Sequence, residues 1–146
     1  SYLEMGNKTE VTIDVIIHAT EDMVKFQETF QDVFSITPEE FSIQNVSGHY
    51  DNPITIMTTK IVKDQAIDFV DAITSMMSKE QMDEIITNLD SMIDNSTHYL
   101  RISKQDFVEK RITFQEDNAI KIKIYTPIYS KKNTIKAFTD LLKKSI

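Results

Sequence analysis

Ala119-Ile120-Lys121-Ile122-Lys123-Ile124-Tyr125 places isoleucine at every second position and a cation or an aromatic ring between. A period of two is the repeat of a β-strand, whose successive side chains leave on opposite faces. One face of this strand is therefore apolar, and the other carries Lys121, Lys123 and Tyr125. Two more strands read upstream of it, at His98 to Ile102 and Arg111 to Phe114, the second joined to the quoted strand by the turn-forming Gln115-Glu116-Asp117-Asn118. Near the start, Val11, Ile13, Val15, Ile17 and Ala19 alternate with Thr12, Asp14, Ile16 and His18. Phe41 to Val46 and Ile54 to Val62 form a β-branched pair around Gly48, the expected hairpin.

Helical spacing fills the intervals. Thr20 is expected to cap a helix carrying Val24, Phe26, Phe30, Val33 and Phe34 and ending before Pro38. Asp64 is expected to cap another, with Ile67, Phe69, Val70, Ile73, Met76 and Met77 inward. Ser78-Lys79-Glu80-Gln81 is a capping-box pattern opening a long acidic helix with Met82, Ile85, Ile86, Leu89, Met92 and Ile93 on one stripe. Ser103 to Glu109 reads as a short helical connector, and Ile135, Phe138, Leu141 and Leu142 stripe a closing helix. The order βαββααβββα, with short turns between consecutive strands, predicts an α+β fold: one mostly antiparallel sheet covered by helices on one face. Residues 9–146 are expected to form a single domain, after a loose N-terminal tail or cloning remnant at 1–8.

The chain of 146 residues, 40% hydrophobic and 27% charged, has the balance of a globular protein. With no cysteine it has no disulfide framework and no thiolate site. No apolar run exceeds four residues, against roughly 20 for a bilayer span, so a cytoplasmic setting without membrane contact is expected. The net charge of −7 conceals a segregation of signs. Residues 1–98 carry 5 Lys and Arg against 18 Asp and Glu, whereas residues 99–146 carry 11 against 5. Such a chain either neutralises itself within one fold or offers a basic docking surface on its last third.

Alternation identifies that surface. If Leu100, Ile102, Ile112, Phe114, Ile120, Ile122 and Ile124 face the core, then Tyr99, Arg101, Arg111, Thr113, Lys121, Lys123 and Tyr125 face away. Cations suit phosphates and flat rings suit unstacked bases, so the face fits single-stranded RNA; a solvated sheet face has the same residue types. The candidate RNA contacts are Arg101, Lys104, Arg111, Lys121, Lys123, Lys131 and Lys132, with Tyr99, Tyr125 and Tyr129 as stacking platforms. His18, His49 and His98 lie far apart without metal-ligand spacing, and there is no phosphate loop or nucleophile elbow. The residues therefore imply no enzyme, no metal and no cofactor.

Gly48-His49-Tyr50-Asp51-Asn52-Pro53-Ile54 lies between two strands. Its residues suit a hairpin connection, with Asp and Asn bonding their own backbone and Pro opening an edge strand. The string also resembles the Gly-His-His/Tyr-Gly-Asn-Pro-Ile element of a family of small archaeal proteins described as RNA-binding or predicted exosome subunits. Ala19-Thr20-Glu21-Asp22, the Ser78 capping box, Tyr99-Leu100-Arg101 with Lys104-Gln105, and the Ile120 to Ile124 strand follow in that family's order. The resemblance covers about residues 9–146. Gly48, His49, Tyr50, Asn52 and Pro53 match the motif, whereas Asp51 stands where glycine is usual and Ser103 replaces an acidic residue. It implies a fold similar to the ribosomal protein L5 type and a non-catalytic association with RNA or with exosome and other RNA-processing proteins.

Two functions follow as expectations. In one, the protein binds RNA through the basic and aromatic face. In the other, it is a protein-interaction module or homodimer that docks through its acidic helices and the Gly48 loop without RNA. A hydrolytic centre at His49 and Asp51 would need a cleft that sequence does not reveal.

Overall fold

Strict alternation becomes a six-stranded sheet in the computed structural model, which describes residues 8–48, 50, 52–94, 96–127 and 131–143. Strand β1 (Glu10–His18) leads to helix α1 (Met23–Phe34) and a single 3₁₀ turn, Pro38–Glu40. Strands β2 (Ser42–Ser47) and β3 (Pro53–Val62) follow, then helices α2 (Lys63–Ser75), α3 (Lys79–Thr87) and α4 (Leu89–Met92). The two-residue β4 (Ile93–Asp94), strand β5 (Thr97–Ser103), the one-turn α5 (Lys104–Phe107), β6 (Ala119–Tyr125) and α6 (Lys131–Lys143) complete the chain. The strand order is β2-β3-β1-β6-β5-β4. The expected hairpin forms, with β2 antiparallel to β3 in the register Ser42 to Thr58 through Ser47 to Pro53. Strands β4 and β5 are antiparallel too. Thr9 bonds Thr126 at one end of β1 and His18 bonds Asn118 at the other, so β1 and β6 also run in opposite directions.

The chain divides into two compact units: residues 1–11, 61–100 and 123–146, and residues 12–60 and 101–122. In the second, α1 buries Phe26, Phe30 and Phe34. Phe30 is the hub of an aromatic cluster, its ring centroid 4.6 Å from Phe107 and 5.0 Å from Phe41, while Phe34 stacks on Phe107 within 11° of parallel. Offset and tilted ring pairs at these separations add to the burial of the rings themselves. In the first unit, α2 buries Ala66, Phe69, Val70 and Ile73 and packs on α6, which buries Phe138, Leu141 and Leu142. Met82 and Met77 are buried apolar filler, the ordinary use of methionine at helical spacing.

Several local expectations change. Asp22, not Thr20, caps α1, its carboxylate accepting the Val24 N–H at 3.0 Å, because Thr20 lies in the turn that the Glu21 N–H closes on the His18 carbonyl and the helix starts only at Met23. Helix α2 has no side-chain cap: β3 runs directly into it through Lys63, whose φ of 56° makes the turn that Asp64 was expected to cap. The Ser78 box forms reciprocally, Gln81 N–H to Ser78 Oγ at 3.1 Å and Ser78 N–H to Gln81 Oε1 at 2.8 Å. The long acidic helix breaks at Asn88 into α3 and α4. Arg111 to Phe114 is not a strand; it contributes only a bridge between Phe114 and Ile102, because Arg111 N–H turns back to the Asp106 carbonyl.

Gly48 is needed for space. Its N–H donates to the Asn52 carbonyl at 2.6 Å, and a Cβ there would lie 2.7 Å from that oxygen and 3.1 Å from Ile54 Cγ2. Among the described residues of the connection Tyr50 is left-handed, with φ 56°, and it is 89% exposed.

Candidate nucleic-acid interface

Strand β6 divides its side chains as its sequence does. Ile120, Ile122 and Ile124 are buried, and Lys121, Lys123 and Tyr125 are exposed. Neither lysine has an ion-pair partner among the described residues. An ammonium without a carboxylate beside it attracts phosphate without first giving up an internal bond. On β5, the neighbouring strand, Leu100 and Ile102 are buried while Tyr99 and Arg101 are exposed. Among the described residues Arg101 has only a loose contact, 3.9 Å, with the 91% exposed Glu116. Pairs of this kind contribute little, so the guanidinium can turn to another anion.

Other candidate cations are placed differently. Lys104 was expected to face RNA, but its side chain is only 6% exposed. It sits at the first position of α5, whose Ser103 cap accepts the Asp106 N–H, and its ammonium turns inward. It donates to the Ile16 carbonyl, to Glu21 Oε1 at 3.0 Å and to Asn118 Oδ1 at 2.9 Å, so all three of its N–H bonds are taken. Burial alone would raise the Glu21 carboxyl, but the His18 N–H and the Lys104 ammonium outweigh it and hold it below its ordinary value. Arg111 is exposed but doubly paired, 3.0 Å from Asp106 and 2.5 Å from Glu109, and these carboxylates raise its pKa further. The Thr113 hydroxyl and Arg111 in turn lower the Asp106 carboxyl. One cation held between two carboxylates leaves this knot no positive charge to offer a phosphate.

Lys131 and Lys132 lie at the start of α6, where the backbone alone is described. Tyr129, His49 and Asp51 lie outside the described residues. Gly48, Asn52 and Pro53 form the hairpin connection, and Tyr50 projects from it. Among the described residues no group of three His, Asp or Glu could hold a metal ion, and no helix is long and apolar enough to cross a membrane.

Two features escaped the linear reading. The Glu21–Lys104–Asn118 cluster joins residues 83 and 14 positions apart, a separation with no local signature. His98 is fully buried, and neither ring nitrogen has a partner among the described residues. Its parity with Leu100 and Ile102 is the signal that could have placed it inward. Burial lowers its pKa to about 4, and its ring lies 5.6 Å from that of Phe138.

Known structures share this fold. A DUF54-family protein from Sulfolobus solfataricus is 29% identical, with a TM-score of 0.74 over 94% of this chain and 99% of its own. One from Archaeoglobus fulgidus is 24% identical, with a TM-score of 0.74 over 90% and 97%. A DUF54 protein from Methanothermobacter thermautotrophicus is 21% identical, with a TM-score of 0.72 over 91% and 96%. No curated protein matches the sequence. The family model described as RNA binding matches residues 10–126, which takes in all six strands, and the chain belongs to that family.

Proposed function

We propose that the protein is a non-catalytic binder of single-stranded RNA that engages it along β6, through Lys121, Lys123 and Tyr125, with Tyr99 and Arg101 of β5 beside them. The observation that carries this reading is the pair of exposed lysines, without an ion-pair partner among the described residues, alternating with a buried isoleucine row and ending in an exposed tyrosine. Phosphates are held by the ammonium groups, and bases stack on Tyr125 and Tyr99, which are 36% and 39% exposed. Such contacts position a strand without reading its sequence. Membership of a family described as RNA binding supports the same partner.

Association with exosome or other RNA-processing proteins in the cytoplasm is part of this proposal and rests on the motif resemblance around Gly48. Fluorescence anisotropy with labelled single-stranded RNA tests the binding claim. Affinity should fall steeply with salt and fall further in the Lys121→Glu/Lys123→Glu variant. Failure to bind RNA at low salt would leave the docking-module reading in its place.

A further inference from the structure

A cleft of about 420 Å³ opens in the unit formed by residues 12–60 and 101–122. That volume is in the range of small-molecule sites. Its walls come from three segments: Glu21, Asp22, Lys25 and Phe26 at the start of α1, Lys104, Gln105 and Val108 around α5, and Gln115 and Asn118 in the turn before β6. What the cleft can bind follows from which of these groups are already engaged.

Lys104 is spent, and each of the two carboxylates is engaged through one oxygen. Glu21 takes the His18 N–H and the Lys104 ammonium, Asp22 takes the Val24 N–H, and Lys104 has given all three of its protons. Asn118 accepts from Lys104 through Oδ1, and Gln115 donates through Nε2 to the Asp117 carbonyl at 2.7 Å. Left over among the described residues are the whole Gln105 carboxamide, the Gln115 Oε1 acceptor, the Asn118 Nδ2 donor, the exposed Lys25 ammonium and the second oxygens of Glu21 and Asp22. Phe26 and Val108 supply apolar wall.

This remainder selects against simple ions. A free phosphate would meet the carboxylates of Glu21 and Asp22, and a divalent cation would meet the Lys104 ammonium. Neutral amide donors and acceptors beside an apolar wall instead match the edge and face of a heterocyclic base. One additional cation suits a single neighbouring phosphate. We infer that this cleft takes one unstacked nucleobase of a bound RNA strand, read by Gln105, Gln115 and Asn118, with Lys25 serving the adjoining phosphate. The inference rests on the RNA-binding reading above and adds base selectivity to it.

The test titrates the four common nucleoside monophosphates, and ribose phosphate as control, into the isotope-labelled full chain while backbone amide resonances are followed. Saturable shifts at Gln105, Val108, Gln115 and Asn118, with affinities differing about tenfold among the bases, support the inference. In Gln105→Ala that spread should collapse; Gln105 is exposed and bonds nothing among the described residues, so the rest of the spectrum should stay in place. Equal shifts with ribose phosphate, or no shifts at the cleft with any nucleotide, overturn it. Titration with single-stranded RNA separates the two claims. Shifts at Lys121 and Lys123 without shifts at the cleft overturn the base site and leave the β6 reading standing, whereas shifts at neither remove both.

Discussion

Lys104 donates to the Glu21 carboxylate across 3.0 Å although 83 residues separate them, and the lysine is 6% exposed. A buried ammonium is costly unless every proton is satisfied, and here the Ile16 carbonyl and Asn118 complete the set. Lys104→Met should therefore lower stability by about 2–4 kcal/mol, because three acceptors each lose a donor at once, the Ile16 carbonyl, Glu21 Oε1 and Asn118 Oδ1. Urea unfolding measures this. The salt dependence of RNA binding should not change, since Lys104 makes no contribution to the exposed charge.

His98 sets an acid limit on stability. Its pKa falls from 6.5 to about 4 on folding because the ring is buried without a hydrogen-bond partner among the described residues. Above pH 6.5 the ring is neutral in both states and its titration is without effect. As pH drops from about 6.5 towards 4 the unfolded chain takes up the proton and the folded chain does not, so stability falls, by about 3 kcal/mol in total. Below about pH 4 this loss levels off. His98→Leu should abolish the loss in that window and, by removing two unsatisfied ring nitrogens, leave the protein at least as stable at pH 7. Unfolding curves at closely spaced pH values compare the two proteins.

Phe30 touches Phe34, Phe41 and Phe107 from the middle of α1 and is 1% exposed. Phe30→Ala should cost about 3–5 kcal/mol by removing the ring and leaving a cavity that its neighbours fill only in part. Chemical denaturation gives the value. The exposed Val24→Ala, on the same helix, should stay within about 0.5 kcal/mol of wild type.

Gly48→Ala forces a carbon into the 2.7 Å space beside the Asn52 carbonyl. Since that oxygen is backbone, the connection must open and the Gly48 N–H to Asn52 bond must lengthen. Faster amide exchange at Ser47 and Ile54, with exchange in α2 unaltered, is the expected outcome.

Periodicity made most of this fold legible. A period of two located β1, β5 and β6 to within a residue or two, and the Ser78 capping box located α3. What periodicity misjudged was governed by competing local bonds. Arg111 to Phe114 has the alternation of a strand, but Arg111 is bound by both its N–H and its guanidinium to Asp106, and pairing ends there. Thr20 is a good cap by residue type, but Asp22 has the geometry. For the candidate interface, alternation found the exposed side of β6 and could not tell a free cation from a spent one. Lys104 and Lys121 look alike in sequence; one has Glu21 and Asn118 around it, brought by the chain from distant positions, and the other has no carboxylate partner among the described residues.

The claim that RNA lies along β6 turns on Lys121 and Lys123. Anisotropy titrations of wild type and of Lys121→Ala/Lys123→Ala against one single-stranded RNA, over a series of salt concentrations, measure their share directly. Binding should weaken in the variant, and the slope of log affinity against log salt should become shallower by about 1.4, the value for two lost phosphate contacts on a single strand. Unchanged affinity and slope, with the fold intact, would contradict it.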